Sequence, residues 1–222
     1  MSERAAVGTH RGSGPAPRTV RSAPVRATAV GVLGLTFGIA TAYAQAWLPH
    51  EVGSLANSVG SWALLAFLLS LPGTNPRVAS LLGFVALISL LAGYVLGASV
   101  RGDPSSNALI AFWGLASVVA GPVLGLSAYW VRTDRDHLAA VGVGVMSGVL
   151  IGEGIYGLST IAETTYPPYW WGQIVAGAAL LASVAARRLR QTKPIAVALV
   201  CSLVVAASFV VVYRQDLISF LP

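Results

Sequence analysis

Apolar residues are gathered along this chain into runs about as long as a bilayer-spanning helix, and short polar or proline-containing stretches separate the runs. The seven runs are residues 27–48, 56–72, 78–100, 107–131, 138–160, 169–187 and 194–213. A helix rises about 1.5 Å per residue, so about 20 apolar residues cross the ~30 Å hydrocarbon core of a bilayer. The pattern therefore predicts an all-α fold, a polytopic transmembrane helix bundle of about seven spans.

The composition excludes a water-soluble protein. Of the 222 residues, 55% are hydrophobic and 10% are charged, whereas about 25% of an ordinary soluble domain is charged. Fourteen basic and eight acidic residues are too few to cover the surface of a soluble globule of this length. We therefore expect a multi-pass protein in contact with the lipid bilayer, located in the cell (plasma) membrane.

Basic residues indicate the topology, because the cytoplasmic loops of membrane proteins carry an excess of Lys and Arg. The second run is the weakest, since polar residues near its start leave only residues 62–71 continuously apolar. If all seven runs cross and the amino terminus is cytoplasmic, twelve basic residues lie inside, and only Arg101 and Arg214 lie outside. If the second run does not cross, each side has seven. The uneven split favours seven spans.

This topology divides the chain into three regions. Residues 1–26 contain five Arg among Ser, Pro, Gly and Thr, which predicts a disordered basic cytoplasmic tail. Residues 27–213 form the transmembrane helical domain, and residues 214–222 form a short extracytoplasmic tail. Residues 42–44 (Ala-Tyr-Ala) also resemble the end of a cleavable signal peptide, an alternative that leaves the later spans unchanged. Because the basic residues lie in the tail and beside apolar runs, we expect no nucleic-acid partner.

Glycine recurs at four-residue spacing within the runs. The sets are Gly34 and Gly38, Gly93 and Gly97, Gly121 and Gly125, and Gly144, Gly148 and Gly152. Small residues at this spacing let two helix backbones approach closely in lipid. The pattern predicts tight helix contacts, a central fifth run, and glycine-rich faces available to other membrane helices.

Aromatic and amide residues are concentrated toward the predicted outer side. Five of the six Trp lie there, and only Trp130 lies toward the cytoplasm. One interpretation is an interfacial belt of aromatic anchors, which we favour for Trp170 and Trp171 beside two prolines. The imbalance between the two sides instead indicates an outward-facing vestibule for a small solute. Its candidate ligand-binding residues are Gln45, Asn57, Trp62, Tyr94, Trp113, Glu153, Tyr156 and Gln173.

Glu153 lies inside the fifth run, about 6 Å past its midpoint on the outer side. A carboxylate near the bilayer centre costs about 2.5–3.5 kcal/mol on insertion scales, so it should face a cavity or a partner. Two interpretations stay open. Glu153 is a ligand or proton site in the vestibule, or it forms a structural hydrogen bond to Tyr156 or Gln45.

Signals for catalysis and for metal binding are missing from the sequence. His10, His50 and His137 lie in different regions, and Cys201 is the single cysteine, so no metal or thiolate cluster is predicted. No Ser occurs in a recognisable nucleophile motif. We expect no enzymatic activity, no cofactor and no metal.

Two resemblances bear on function. Residues 55–67, LANSVGSWALLAF, follow a Leu48-Pro49 break, and this stretch resembles a family of small actinobacterial multipass membrane proteins of uncharacterised function. The many arginines and single lysine fit the high-GC genomes of such bacteria. The small-residue helices and the outer aromatic pocket with one carboxylate are also similar to substrate-capturing subunits of energy-coupling-factor vitamin transporters, which have six helices rather than seven.

Two functional hypotheses follow. The first is transport or binding of a small solute through the outward-facing aromatic vestibule with Glu153. The second is a non-transporting membrane scaffold or assembly partner, in which the glycine faces recruit other helices and the aromatic residues form only a belt. Aromatic side chains facing a cavity favour the first hypothesis, and aromatic side chains facing lipid favour the second.

The charge distribution makes the topology testable. We expect a reporter fused after Arg190 to lie in the cytoplasm and a reporter fused after Pro222 to lie outside, because only this arrangement gives the uneven distribution of basic residues. Paired cytoplasmic and extracytoplasmic reporter activities measure both positions. Finding both fusions on one side of the membrane would contradict seven spans.

Overall fold

The computed structural model describes residues 22–214, which contain eight helices and no strand. The helices are α1 (Ala23–Trp47), α2 (His50–Asn57), α3 (Val59–Ser70), α4 (Pro76–Val100), α5 (Asn107–Trp130), α6 (Asp136–Thr160), α7 (Pro167–Arg188) and α8 (Thr192–Arg214). The predicted tails lie outside the described residues, apart from residues 22–26 and Arg214. Residues 23–26 belong to α1, so the first helix begins earlier than the predicted residue 27.

Six of these helices are long and apolar enough to cross a membrane, namely α1 and α4 to α8. The chain is therefore an integral membrane protein with an all-helical, polytopic bundle, as the apolar runs predicted. The second predicted span is different, because α2 and α3 form a pair bent by 57°. The 12 residues of α3 extend only about 18 Å, so α3 crosses the bilayer only together with α2.

The predicted second span at residues 56–72 is not a single helix, because the helix breaks at Ser58. Ser58 has an extended backbone (φ −83°, ψ 126°), and its hydroxyl accepts a hydrogen bond from the Ser61 N–H at 3.0 Å. This is the geometry of a helix N-cap. The N–H groups of Val59 and Gly60 donate to a carboxylate of α6 instead of to carbonyls of α2, so α3 starts as a new helix.

One end of the bundle, here called the basic end, collects most of the positive charge. Of the ten Lys and Arg between residues 22 and 214, eight lie there: Arg26, Arg77, Arg132, Arg135, Arg187, Arg188, Arg190 and Lys193. Arg26 and Arg132 donate to the carbonyls of Pro72 and Gly73, which follow α3. The bent pair therefore carries the chain from the opposite end of the bundle to the basic end, as a seventh span would.

Glycine contacts hold the long helices together. The faces carrying Gly34, Gly38, Gly93 and Gly97 join α1 to α4, and Gly83, Gly121 and Gly125 join α4 to α5. α6 is the most buried helix and contacts α3, α5, α7 and α8, which agrees with the prediction of a central fifth run. The glycine-rich faces proposed for recruiting other proteins are therefore occupied by helices of the same chain.

Gly148 shows how close this packing is. A Cβ atom built on Gly148 would lie 2.6 Å from the Cβ of Val205 and 2.7 Å from the carbonyl oxygen of Ser202, both in α8. Gly172 in α7 is the matched contrast, since an added Cβ there meets no atom within 4 Å.

We predict that Gly148→Leu lowers the stability of the folded bundle, whereas Gly172→Leu does not. Extra side-chain volume in a packed interface costs about 1–3 kcal/mol, and at Gly148 it would separate α6 from α8. The yield of monodisperse protein in detergent and its melting temperature measure the difference. Equal melting temperatures for the two variants would show that α6 and α8 do not require this contact.

Candidate functional site

A cavity of about 330 Å³ lies between α3, α4 and α5. It begins at Ser105, in the loop after α4, which lies at the end of the bundle opposite the basic end. It extends to Leu124, in the half of α5 nearer the basic end. Five of the eight predicted site residues line it: Gln45, Asn57, Trp62, Tyr94 and Trp113. These side chains come from five different helices.

A chain of hydrogen bonds fixes the polar wall of the cavity. The Tyr94 hydroxyl donates to the Gln45 side-chain oxygen at 2.9 Å, and the Gln45 amide nitrogen donates to the Asn57 side-chain oxygen at 2.7 Å. These bonds connect α4, α1 and α2 at one level. Because each amide is oriented by its neighbour, the wall is preorganised before any solute arrives.

The remaining wall is aromatic and aliphatic. The rings of Trp62 and Tyr94 meet edge to face with centroids 5.9 Å apart, and Trp113 contacts Phe112 in a similar geometry at 5.1 Å. Among residues 22–214 the indole N–H groups of Trp62 and Trp113 have no hydrogen-bond partner. Leu109 and Ile110 line the cavity near its opening, and Leu87, Leu91 and Leu124 line the deeper part. No charged residue is present in the lining contributed by residues 22–214.

Glu153 lies behind this cavity, with only 4% of its surface exposed. Its carboxylate accepts hydrogen bonds from the Ser58 hydroxyl at 2.6 Å, the Val59 N–H at 2.6 Å and the Gly60 N–H at 2.8 Å. The side-chain nitrogen of Gln173 donates a fourth bond at 3.1 Å. Glu153 therefore caps the start of α3 from another helix.

The surroundings of the carboxylate supply donors only. The Ser58 hydroxyl already accepts bonds from the Ser61 N–H and from Gln173, so its own proton points at Glu153. The two backbone N–H groups cannot reverse their polarity, and the amino end of α3 carries the positive end of the helix dipole. This arrangement suits an acceptor-only, ionised carboxylate and compensates its charge without a basic side chain.

We call Glu153, Ser58, Ser61, Tyr169 and Gln173 the Glu153 network. Tyr169 joins it through its hydroxyl, which lies 3.0 Å from both the Ser61 hydroxyl and the Gln173 side-chain nitrogen. The network connects α3, α6 and α7, and its centre at Glu153 and Ser58 is buried inside the bundle.

Three predicted site residues do not line the cavity, namely Glu153, Tyr156 and Gln173. Gln173 belongs to the Glu153 network, and Tyr156 packs against Tyr213 of α8 with ring centroids 5.4 Å apart. Neither Tyr156 nor Gln45, which the sequence suggested as partners, bonds to Glu153. The start of α3 separates Glu153 from the cavity. Ser58 and Val59 line the cavity and also donate hydrogen bonds to Glu153.

The other outer aromatic residues have mixed environments. Trp47 and Trp171 are 76% and 59% exposed, as expected for interfacial anchors. Trp170, which the sequence assigned to the same belt, is only 4% exposed and donates from its indole nitrogen to the Thr165 hydroxyl at 2.8 Å. The belt and the cavity lining therefore coexist at this end.

Sequence reasoning did not identify Ser58, Ser61 and Tyr169 as site residues. Both Ser58 and Ser61 are among the polar residues that interrupt the start of the second run. A cluster of small polar residues inside an apolar segment is also the signal of a broken helix, which at membrane depth is tolerated where it is buried in protein or lines a cavity.

Comparison with known families matches residues 17–218, most of the chain, to a family of unknown function, DUF6518. The chain belongs to this family. In comparisons with curated proteins and with solved structures, no match to the chain is found. The membership agrees with the expected family of uncharacterised function. The actinobacterial origin and the likeness to energy-coupling-factor subunits stay predictions.

We predict that Glu153→Gln destabilises the bundle even when no solute is present. The amide places an N–H donor against groups that are themselves donors, and leaving a buried partner unsatisfied costs about 1–3 kcal/mol. Thermal melts of the purified variant against the wild type measure the loss.

Glu163→Gln is the matched control, because it removes a carboxylate from the exposed loop that follows α6 at the same end of the bundle. Its melting temperature should equal that of the wild type. An unchanged melting temperature for Glu153→Gln would show that the Glu153 network does not support the fold.

Proposed function

We propose that this integral membrane protein binds a small solute in the cavity between α3, α4 and α5, as a transport or solute-capturing protein. The observation that carries the proposal is the convergence of amide and aromatic side chains from five helices on one preformed cavity. Its volume of about 330 Å³ falls in the range of small-molecule sites, which are typically apolar with a few oriented polar groups.

The lining supports an uncharged solute with an apolar body and oxygen acceptors. A charged solute would lose its hydration in a cavity that offers no opposite charge. The indole N–H groups of Trp62 and Trp113 would donate to a carbonyl or hydroxyl oxygen, and the leucine-lined depth would hold the apolar part. We do not assign a cation to the cavity, because Glu153 is engaged in capping α3.

Glu153 acts in this proposal as a positioning residue. It holds Ser58 and Val59, which form part of the cavity wall, and so it determines where α3 begins relative to the solute. In transporters, broken helices near the middle of the membrane often form the substrate site. We propose that the bent pair α2–α3 has this role here, because Asn57, Ser58 and Val59 at its break line the cavity.

The orientation of the protein is also part of the proposal. The eight basic residues of the basic end favour placing that end in the cytoplasm, with a cytoplasmic amino terminus. The amide wall then faces outside. The alternative function, a scaffold that recruits other helices through glycine faces, finds less support because those faces already contact helices of this chain.

A matched pair of probes tests the cavity. We predict that benzamide, an uncharged aromatic amide, raises the melting temperature of the wild type with about millimolar affinity, as expected for so small a ligand. Benzoate, nearly identical in shape but anionic, should have no effect, because the cavity offers no positive charge.

Filling the cavity supplies the control. Ala116→Leu, at a lining position, should abolish the benzamide effect, while Val119→Leu, on the exposed side of the same helix, should leave it unchanged. Equal effects of benzamide and benzoate, or an undiminished effect in Ala116→Leu, would contradict binding of an uncharged solute in this cavity.

A further inference from the structure

A second cavity of about 740 Å³ lies at the basic end, far from the solute cavity. Its walls are the first turn of α1, the turn between α3 and α4, and the loop between α5 and α6. Arg26, Arg132 and Arg135 line it, together with one carboxylate, Asp134. Among residues 22–214 the lining therefore holds three guanidinium groups and one carboxylate.

Backbone carbonyls hold two of these arginines in place. Arg26 donates to the carbonyl of Pro72, and Arg132 donates to the carbonyl of Gly73 at 2.7 Å and to that of Ala128 at 3.4 Å. The carbonyls of Pro72 and Gly73 follow α3, where the helix dipole is negative. These bonds hold the guanidinium group of Arg132 at the cavity and leave its positive charge in place.

The positive charge of the cavity is not cancelled by ion pairs at Arg132 and Arg135. Within residues 22–214, no carboxylate lies within 4.0 Å of a side-chain nitrogen of either residue. Each guanidinium has five N–H donors, and Arg132 directs only its Nε and one Nη to carbonyls. The site therefore offers charged donors of the kind that bind phosphate oxygens.

We propose that this cavity binds the phosphate headgroup of an anionic phospholipid in the leaflet at the basic end. Tyr129 and Trp130 line the same cavity, and aromatic residues of this kind mark the headgroup level of a bilayer. Val25, the neighbour of Arg26 in the chain, is 49% exposed and offers an apolar surface for an acyl chain. Basic pockets between membrane helices are known sites for anionic headgroups.

A lipid titration tests the proposal on the full chain in neutral detergent. Phosphatidylglycerol added as mixed micelles should raise the melting temperature, and phosphatidylcholine should not. Arg135→Gln should weaken phosphatidylglycerol binding roughly tenfold, the equivalent of about 1.4 kcal/mol, and Arg135→Glu should abolish the shift. Arg135 is chosen because its side chain makes no hydrogen bond within the described part of the chain, and lipid-free melts report the folding of each variant.

Arg190→Gln and Arg190→Glu are the matched controls, since they change the same charge at the same end but outside the cavity. They should retain the shift. If the Arg135 and Arg190 variants lost the phosphatidylglycerol-induced shift in melting temperature equally, the shift would result from general surface charge, and the proposed binding site would be wrong. An equal shift with phosphatidylcholine, or a full shift with glycerol phosphate or inorganic phosphate alone, would overturn the assignment to an anionic lipid.

Discussion

The start of α3 is a helix end inside a membrane, and the rest of the structure depends on how its backbone donors are satisfied. In water, exposed N–H groups bond to solvent, but the hydrocarbon core offers no such partner. The carboxylate of Glu153 accepts two of these N–H groups and also a bond from the Ser58 hydroxyl. A single side chain thus permits the break, joins α3 to the central helix α6, and determines where the wall of the solute cavity begins.

Two kinds of contact hold the bundle together. Glycine faces bring α1, α4 and α5 together on one side and α6 and α8 on the other, with dispersion as the main attraction. The Glu153 network adds directional bonds among α3, α6 and α7. Between α3, α4 and α5 the packing is incomplete, and the cavity occupies that space.

The long helices could be predicted closely because apolar run length is a local property. The run at residues 107–131 corresponds to α5 (Asn107–Trp130) almost residue for residue. The break at Ser58 could not be derived in this way, since the group that stabilises it lies 95 residues later. Position along the bilayer normal follows from residue counts, so the sequence predicts both Trp62 and Glu153 on the outer side. The direction in which each side chain points around its helix depends on packing. The sequence therefore could not show that Glu153 bonds to the start of α3 and does not line the cavity.

The bent pair also constrains how the protein is made. Helices enter the bilayer in chain order as synthesis proceeds, and α3 is complete well before α6 exists. Until α6 arrives, the N–H groups of Val59 and Gly60 have no carboxylate to bond. Stable burial of the second crossing therefore has to wait for the fifth.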